Sequence, residues 1–202
     1  MSEKGKPPST TRIEAFSDGV IAIVATIMVL ELHVPAQTFS SGEFWTVLGE
    51  LGPDLSIFAL SFVIVAIFLI NHHALIRAAP YATPALFWWN ANFLFWMALI
   101  PLSTSIYGKH PLTPLAASFY GLVFFANAAS LLLLRRYVAK LNPGQTEAER
   151  ETDRVLARKD MLFSGLCAIA VPLAFVSEVA AMIIFIIVPA GYFVPGFAFG
   201  RR

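Results

Sequence analysis

Six runs of apolar residues alternate with short polar breaks along the chain, at about 13–33, 54–77, 84–107, 114–139, 160–176 and 179–197. A bilayer hydrocarbon core of about 30 Å takes roughly 20 such residues in helical form. The pattern predicts an all-α integral membrane protein with six transmembrane helices per subunit. Thr10 and Thr11 read as caps of the first run, and Pro35 ends it. Pro53, Pro84 and Pro114 open the second, third and fourth runs, where a missing N–H costs nothing. Pro172, Pro189 and Pro195 interrupt or end the last two runs. The break at Ser177-Glu178 is short, so 160–197 reads as either a tight helical hairpin or one broken element.

The longest polar stretch lies between the fourth and fifth runs. Within it, Thr146-Glu147-Ala148-Glu149 has the form of a capping box. A polar helix is expected at about 142–160, leading into the fifth span. Arg150, Arg154 and Arg158 recur every four residues and share one face of it. That face reads as solvated, with contact to anionic lipid as the alternative. Residues 1–11 form a polar tail, and 12–202 form one six-span domain.

Composition supports the membrane reading. Of the 202 residues, 57% are hydrophobic and 13% charged, against about 25% charged in soluble domains. The net charge of +1 gives no basic field for nucleic acid. The positions of the cations matter more than their number. Six spans with both termini cytoplasmic place Lys4, Lys6, Arg12, Arg77, Arg135, Arg136, Lys140, Arg150, Arg154, Arg158, Lys159, Arg201 and Arg202 on the cytoplasmic side, and only Lys109 outside. The first run is longer than a secretory apolar region and carries Asp18 and Glu31, so it reads as a retained span. Cys167 stands alone, with neither a disulfide partner nor a metal-type spacing, and reads as a small buried hydrophobe.

An ionisable residue inside a membrane helix faces protein or water, and Asp18 therefore needs partners. Span one enters from the cytoplasm, span two returns and span three leaves again. Asp18 thus falls level with Asn71, His72 and His73 on span two and with Asn90 and Asn92 on span three. This cluster is expected to tie three helices together, with Asp18 as a member. A proton relay through Asp18 and His72 is the sharper alternative. His72 and His73 are adjacent, about 100° apart on a helix, and are poorly placed to share a metal. Further along span one, Val20, Ile23, Ile27 and Leu30 form one stripe with Thr26 beside it. Periodicity alone leaves this a lipid-facing or core stripe. His33 at the outer end reads as solvated, and Glu31 lies deeper. The chain has no TVGYG filter, no phosphate-cradling glycine loop, no GxSxG and no HExxH. Nothing points to an enzyme or to a cofactor.

The segment Arg12-x-x-x-Phe16-Ser17-Asp18-Gly19 resembles the signature of the transmembrane protein 175 family of potassium channels. Asn71-His72-His73 matches a His-His segment at the end of that family's second span, and Trp89-Asn90 through Pro101-x-x-Thr104 and Gly108 looks like its third. One departure is Leu69, where family members often carry Trp.

The resemblance implies a passive potassium-permeable channel without a cofactor, a homotetramer in the bacterial plasma membrane, with the first span lining the pore. It implies that Ile23 forms the hydrophobic constriction and Thr26 contributes to ion discrimination, with Ile27 and Leu30 as further pore-lining layers. Arg12, Phe16, Ser17 and Asp18 would hold the first span against its neighbours, together with His72, His73 and Asn90. A proton-coupled secondary transporter and an accessory membrane protein without transport are the competing readings.

Overall fold

The computed structural model describes residues 8–32 and 41–190. The expectations for Lys4, Lys6, His33, Pro35, Pro195, Arg201, Arg202 and the end of the sixth run lie outside the described residues. Among the described residues the chain forms eight helices: α1 (Thr11–Leu30), α2 (Ser41–Glu50), α3 (Gly52–Arg77), α4 (Pro84–Ala98), α5 (Ile100–Lys109), α6 (Pro114–Leu141), α7 (Glu147–Leu173) and α8 (Glu178–Ala190). Four segments are long and apolar enough to cross a membrane: Thr11–Leu30, Gly52–Arg77, Pro84–Lys109 and Pro114–Leu141. The protein is an all-helical, multi-pass membrane protein. Helix α2 falls in a stretch where no run was expected.

Prolines mark the helix starts. Pro53, Pro84 and Pro114 lie in the first turns of α3, α4 and α6. Thr83 caps α4 by accepting a hydrogen bond from the Leu86 N–H at 3.0 Å. Thr10 does not cap in this way. It stands at the cap position with helical angles, and its hydroxyl donates to the Glu14 carboxylate at 2.8 Å. The third run is not one straight helix, because Pro101 has no N–H for the Met97 carbonyl and its ring crowds that turn. The Leu99 N–H bonds back to Trp96 instead, and the run divides into α4 and α5.

The capping box forms as expected. Thr146 Oγ1 accepts from the Glu149 N–H, and Glu149 accepts from the Thr146 N–H at 2.8 Å. These bonds hold the Glu149 carboxyl below the usual carboxylate range. The helix begins at Glu147 and runs unbroken to Leu173, so the polar helix and the fifth run are one element. Its polar half is fastened to α6 by the buried Arg135 guanidinium, whose Nε and Nη2 both lie 2.9 Å from Asp160 Oδ2. Asp153 lies 3.6 Å from the same guanidinium.

Helix α7 ends one residue after Pro172. Ser118 of α6 satisfies its Val171 carbonyl at 2.9 Å, one of the last-turn acceptors without a partner in the helix. Ser177 then accepts from the Ala180 N–H and starts α8, which packs back against α7. The break at 177 is therefore the turn of a helical hairpin. Gly121 of α6 lets this hairpin close in, because a Cβ there would come within 3.0 Å of the Phe185 ring. The core is aromatic. Phe68 meets Phe93, Phe124 and Phe163, and Tyr107 meets Tyr120 and Phe185.

The first helix and the polar network that anchors it

Helix α1 is apolar on nearly every side, yet its two faces have different surroundings. Ile13, Ser17, Ile21, Val24 and Met28 are buried and repeat at helical spacing. They face α3, α4 and α5, the three helices that pack on α1. At 100° per residue, Phe16, Gly19, Ile23, Thr26 and Leu30 fall on the opposite face. Ile23 is 57% exposed, Ile27 41% and Leu30 72%. A Cβ at Gly19 would meet nothing within 4 Å.

Two recesses flank this open face. On one side Asp18, Ala22 and Ala25 line a groove of about 910 Å³ with Leu69 and His73 of α3. On the other, Ile23, Ile27 and Glu31 line a smaller recess with Pro101 and Leu102 of α5. The Thr26 hydroxyl donates to the Ile23 carbonyl at 2.9 Å, with the Ala22 carbonyl at 3.1 Å. Its proton is thereby committed to the helix. The remaining oxygen lone pairs face outward as acceptors.

The buried face is fixed by a chain of hydrogen bonds across three helices. His72 of α3 and Asn90 of α4 meet at 2.6 Å between Nε2 and Oδ1. The Asn90 amide nitrogen donates to Ser17 Oγ at 2.9 Å, and Ser17 Oγ donates to the Ile13 carbonyl at 2.8 Å. Asn90 Oδ1 thus faces His72 Nε2, and Ser17 Oγ also lies 3.3 Å from the same oxygen. The His72 ring also stacks on Phe93, with centroids 5.0 Å apart. Its Nδ1 is buried, with no hydrogen-bond partner among the described residues.

Asp18, expected in the same cluster, meets His73 and not Asn90. The three-helix link is Ser17–Asn90–His72, and Asp18 lies beside it. The Asp18 side chain is 47% exposed and lies 3.9 Å from His73 Nδ1, at the edge of the α1–α3 groove. One position along a helix turns a side chain by about 100°, enough to carry it from the packed face to the groove. Asn92 belongs elsewhere as well, donating to Ser130 of α6 at 2.8 Å. Asn71 is buried. His72 and His73 point to different partners, Asn90 and Asp18. Phe16 is half-exposed and stacks on Phe87 of α4 at 6.2 Å. Arg12 is exposed in the first turn.

Sequence reasoning missed a second knot. Thr104 of α5 donates to Ser61 of α3 at 2.9 Å, and Ser61 meets the Tyr120 hydroxyl of α6, also at 2.9 Å. All three are buried. Thr104 stood out only within the third-span resemblance, and a serine and a tyrosine inside long apolar runs are each common in membrane helices.

A family model described as the endosomal/lysosomal potassium channel TMEM175 matches residues 12–101, the portion that holds the first knot. A potassium channel of Chamaesiphon minutus is 30% identical over 182 residues, covering 88% of this chain and 90% of its own length. A potassium channel of Chryseobacterium sp. is 34% identical over 129 residues. This chain spans 65% of that relative's length. The crystal structure of a lysosomal potassium-selective channel TMEM175 homolog from Chamaesiphon minutus superposes with a TM-score of 0.77 at 28% identity, over 94% of this chain and 98% of the other. The chain thus belongs to the TMEM175 family.

Proposed function

We propose that the protein is a cation channel that conducts potassium passively, with α1 lining the permeation path. The observation that carries this reading is the division of α1. One face is locked into the subunit by the Ser17–Asn90–His72 chain. The opposite face presents Ile23, Thr26 and Leu30 outward, unclaimed by the subunit. Four copies around an axis would convert that face into the wall of a pore. Relatives described as potassium channels support the choice of ion.

In this mechanism four Ile23 side chains form a hydrophobic constriction, and hydrophobic constrictions gate by dewetting. Thr26 follows three residues later, roughly 4.5 Å along the axis. Its outward lone pairs accept a partly dehydrated cation. Ile27 and Leu30 continue the wall. Nothing in the pathway forms or breaks a covalent bond, and no cofactor is needed. The subunit has six spans, with the second half of α7 as the fifth and the segment starting with α8 as the sixth. The cation distribution supports a subunit with both termini in the cytoplasm, and in this reading the channel is a homotetramer in a bacterial plasma membrane.

The test is potassium flux into proteoliposomes against a sodium control, with Ile23→Asn in parallel. The expected result is potassium flux in the native protein, with higher flux and a flatter potassium-to-sodium ratio in the variant. Absence of flux from both folded proteins would contradict the channel reading. Flux unchanged by Ile23→Asn would contradict the constriction.

A further inference from the structure

The cleft between α6 and the polar half of α7 has its own chemistry. It has a volume of about 470 Å³ and is lined by four arginines, Arg135, Arg136, Arg150 and Arg154. Their states differ. Arg135 is buried and neutralised by Asp160, with Asp153 beside it. Arg154 pairs with Glu151 at 3.3 Å, with both side chains about 60% exposed, so that contact is weak and easily exchanged. Arg150 donates to the Pro143 carbonyl at 2.8 Å. This bond holds the guanidinium in the lining of the cleft, and among the described residues no ion pair compensates its charge. Arg136 is exposed on the opposing helix, and no ion pair holds it among the described residues. The one acid in the lining, Asp153, is engaged by Arg135 and by the Gln145 amide at 2.8 Å.

The cleft also changes character along its length. The Arg135–Asp160 pair fixes the antiparallel register of α6 and α7. Just deeper lie Leu132, nearly a turn from Arg135, and the half-exposed Met161, next to Asp160. Further out lie Ala139, Arg154, Asn142 and Arg150. From Met161 to Arg150 is eleven residues, roughly 16 Å of helix. An apolar end thus enters the span and a cationic end leaves it. A free anion would use only the outer end, whereas a lipid matches both.

We propose that this cleft binds an anionic phospholipid, with its phosphate held by Arg136, Arg150 and Arg154 and its acyl chain laid against Leu132 and Met161. The lipid would brace the α6–α7 pair away from the α1 face, so its binding does not depend on which ion permeates.

The test is thermal unfolding of the purified full-length protein in neutral detergent with added phosphatidylglycerol, phosphatidylcholine or glycerol phosphate. Phosphatidylglycerol should raise the midpoint by roughly 3–6 °C at about ten times its dissociation constant, with little rise from the other two. The Arg136→Gln/Arg150→Gln/Arg154→Gln variant should lose that rise and keep its midpoint in phosphatidylcholine. If the triple variant does not fold, Arg136→Gln alone, at an exposed position, should reduce the rise. An equal rise in native protein and variant would overturn the proposal. So would equal rises with the two lipids, or a full rise with glycerol phosphate alone.

Discussion

Ile21 and Ile23 are the same residue type, two positions apart on one helix, and the fold treats them oppositely. Ile21 is 1% exposed, packed towards α3, α4 and α5, whereas Ile23 is 57% exposed on the far side. Hydrophobicity does not separate them, since lipid, partner subunit and protein core all accept an isoleucine. What separates them is the face of α1 each occupies, and Ser17 marks the packed one. That serine lies one turn from Ile21 on the same face, and its hydroxyl is claimed by Asn90. This buried polar contact, with the apolar packing of α1 against α3, α4 and α5, holds Ile21 inward and leaves Ile23 outward.

The contrast between the faces makes graded predictions. Met28→Ala on the packed face should cost the most, about 2–5 kcal/mol of stability through lost contacts and a cavity. Unfolding in detergent would measure it, and a loss no larger than that of Leu30→Ala would erase the distinction between the faces. Ser17→Ala strands the Asn90 amide, and should cost about 1–3 kcal/mol. Asn90→Ala should overlap with it in a double-mutant cycle, because both act on one chain of bonds. Thr26→Val on the open face should leave stability within about 0.5 kcal/mol and shift the potassium-to-sodium flux ratio. The smallest effect lies far from α1. Glu149 has a lowered folded-state pKa, so its contribution to the α7 cap is present above the ordinary carboxylate value. It is lost as pH falls through the folded value. Hydrogen exchange in the first turn of α7 should quicken in that acidic window, and an unchanged rate would count against the cap.

The sequence showed its long elements well and its orientations poorly. Pro53, Pro84, Pro114 and the Thr146–Glu149 box announced helix starts because each leaves a local backbone signature. The kink at Pro101 was equally local and could have been read from that proline. The depth argument put His72 and Asn90 at one level by counting residues along spans, and their side chains meet at 2.6 Å. It drew in Asp18 as a charge inside a span, whereas Ser17 entered only through the family resemblance. Rotation about the helix axis decides between those neighbours, and rotation is set by packing against α3 and α4. The Ser61–Thr104–Tyr120 knot and the Arg135–Asp160 pair were illegible for a related reason. Their bonded partners are 25 to 59 residues apart along the chain, and no local pattern joins them.

The central claim is that the open face of α1 borders the conducting path at Ile23. Ile23→Cys in a Cys167→Ser background, reconstituted and treated with a charged thiol reagent during potassium flux, tests it most directly. The account predicts that modification blocks or sharply reduces flux, and that the Cys167→Ser parent is unaffected. Complete labelling of the Ile23→Cys thiol with flux unchanged would contradict it.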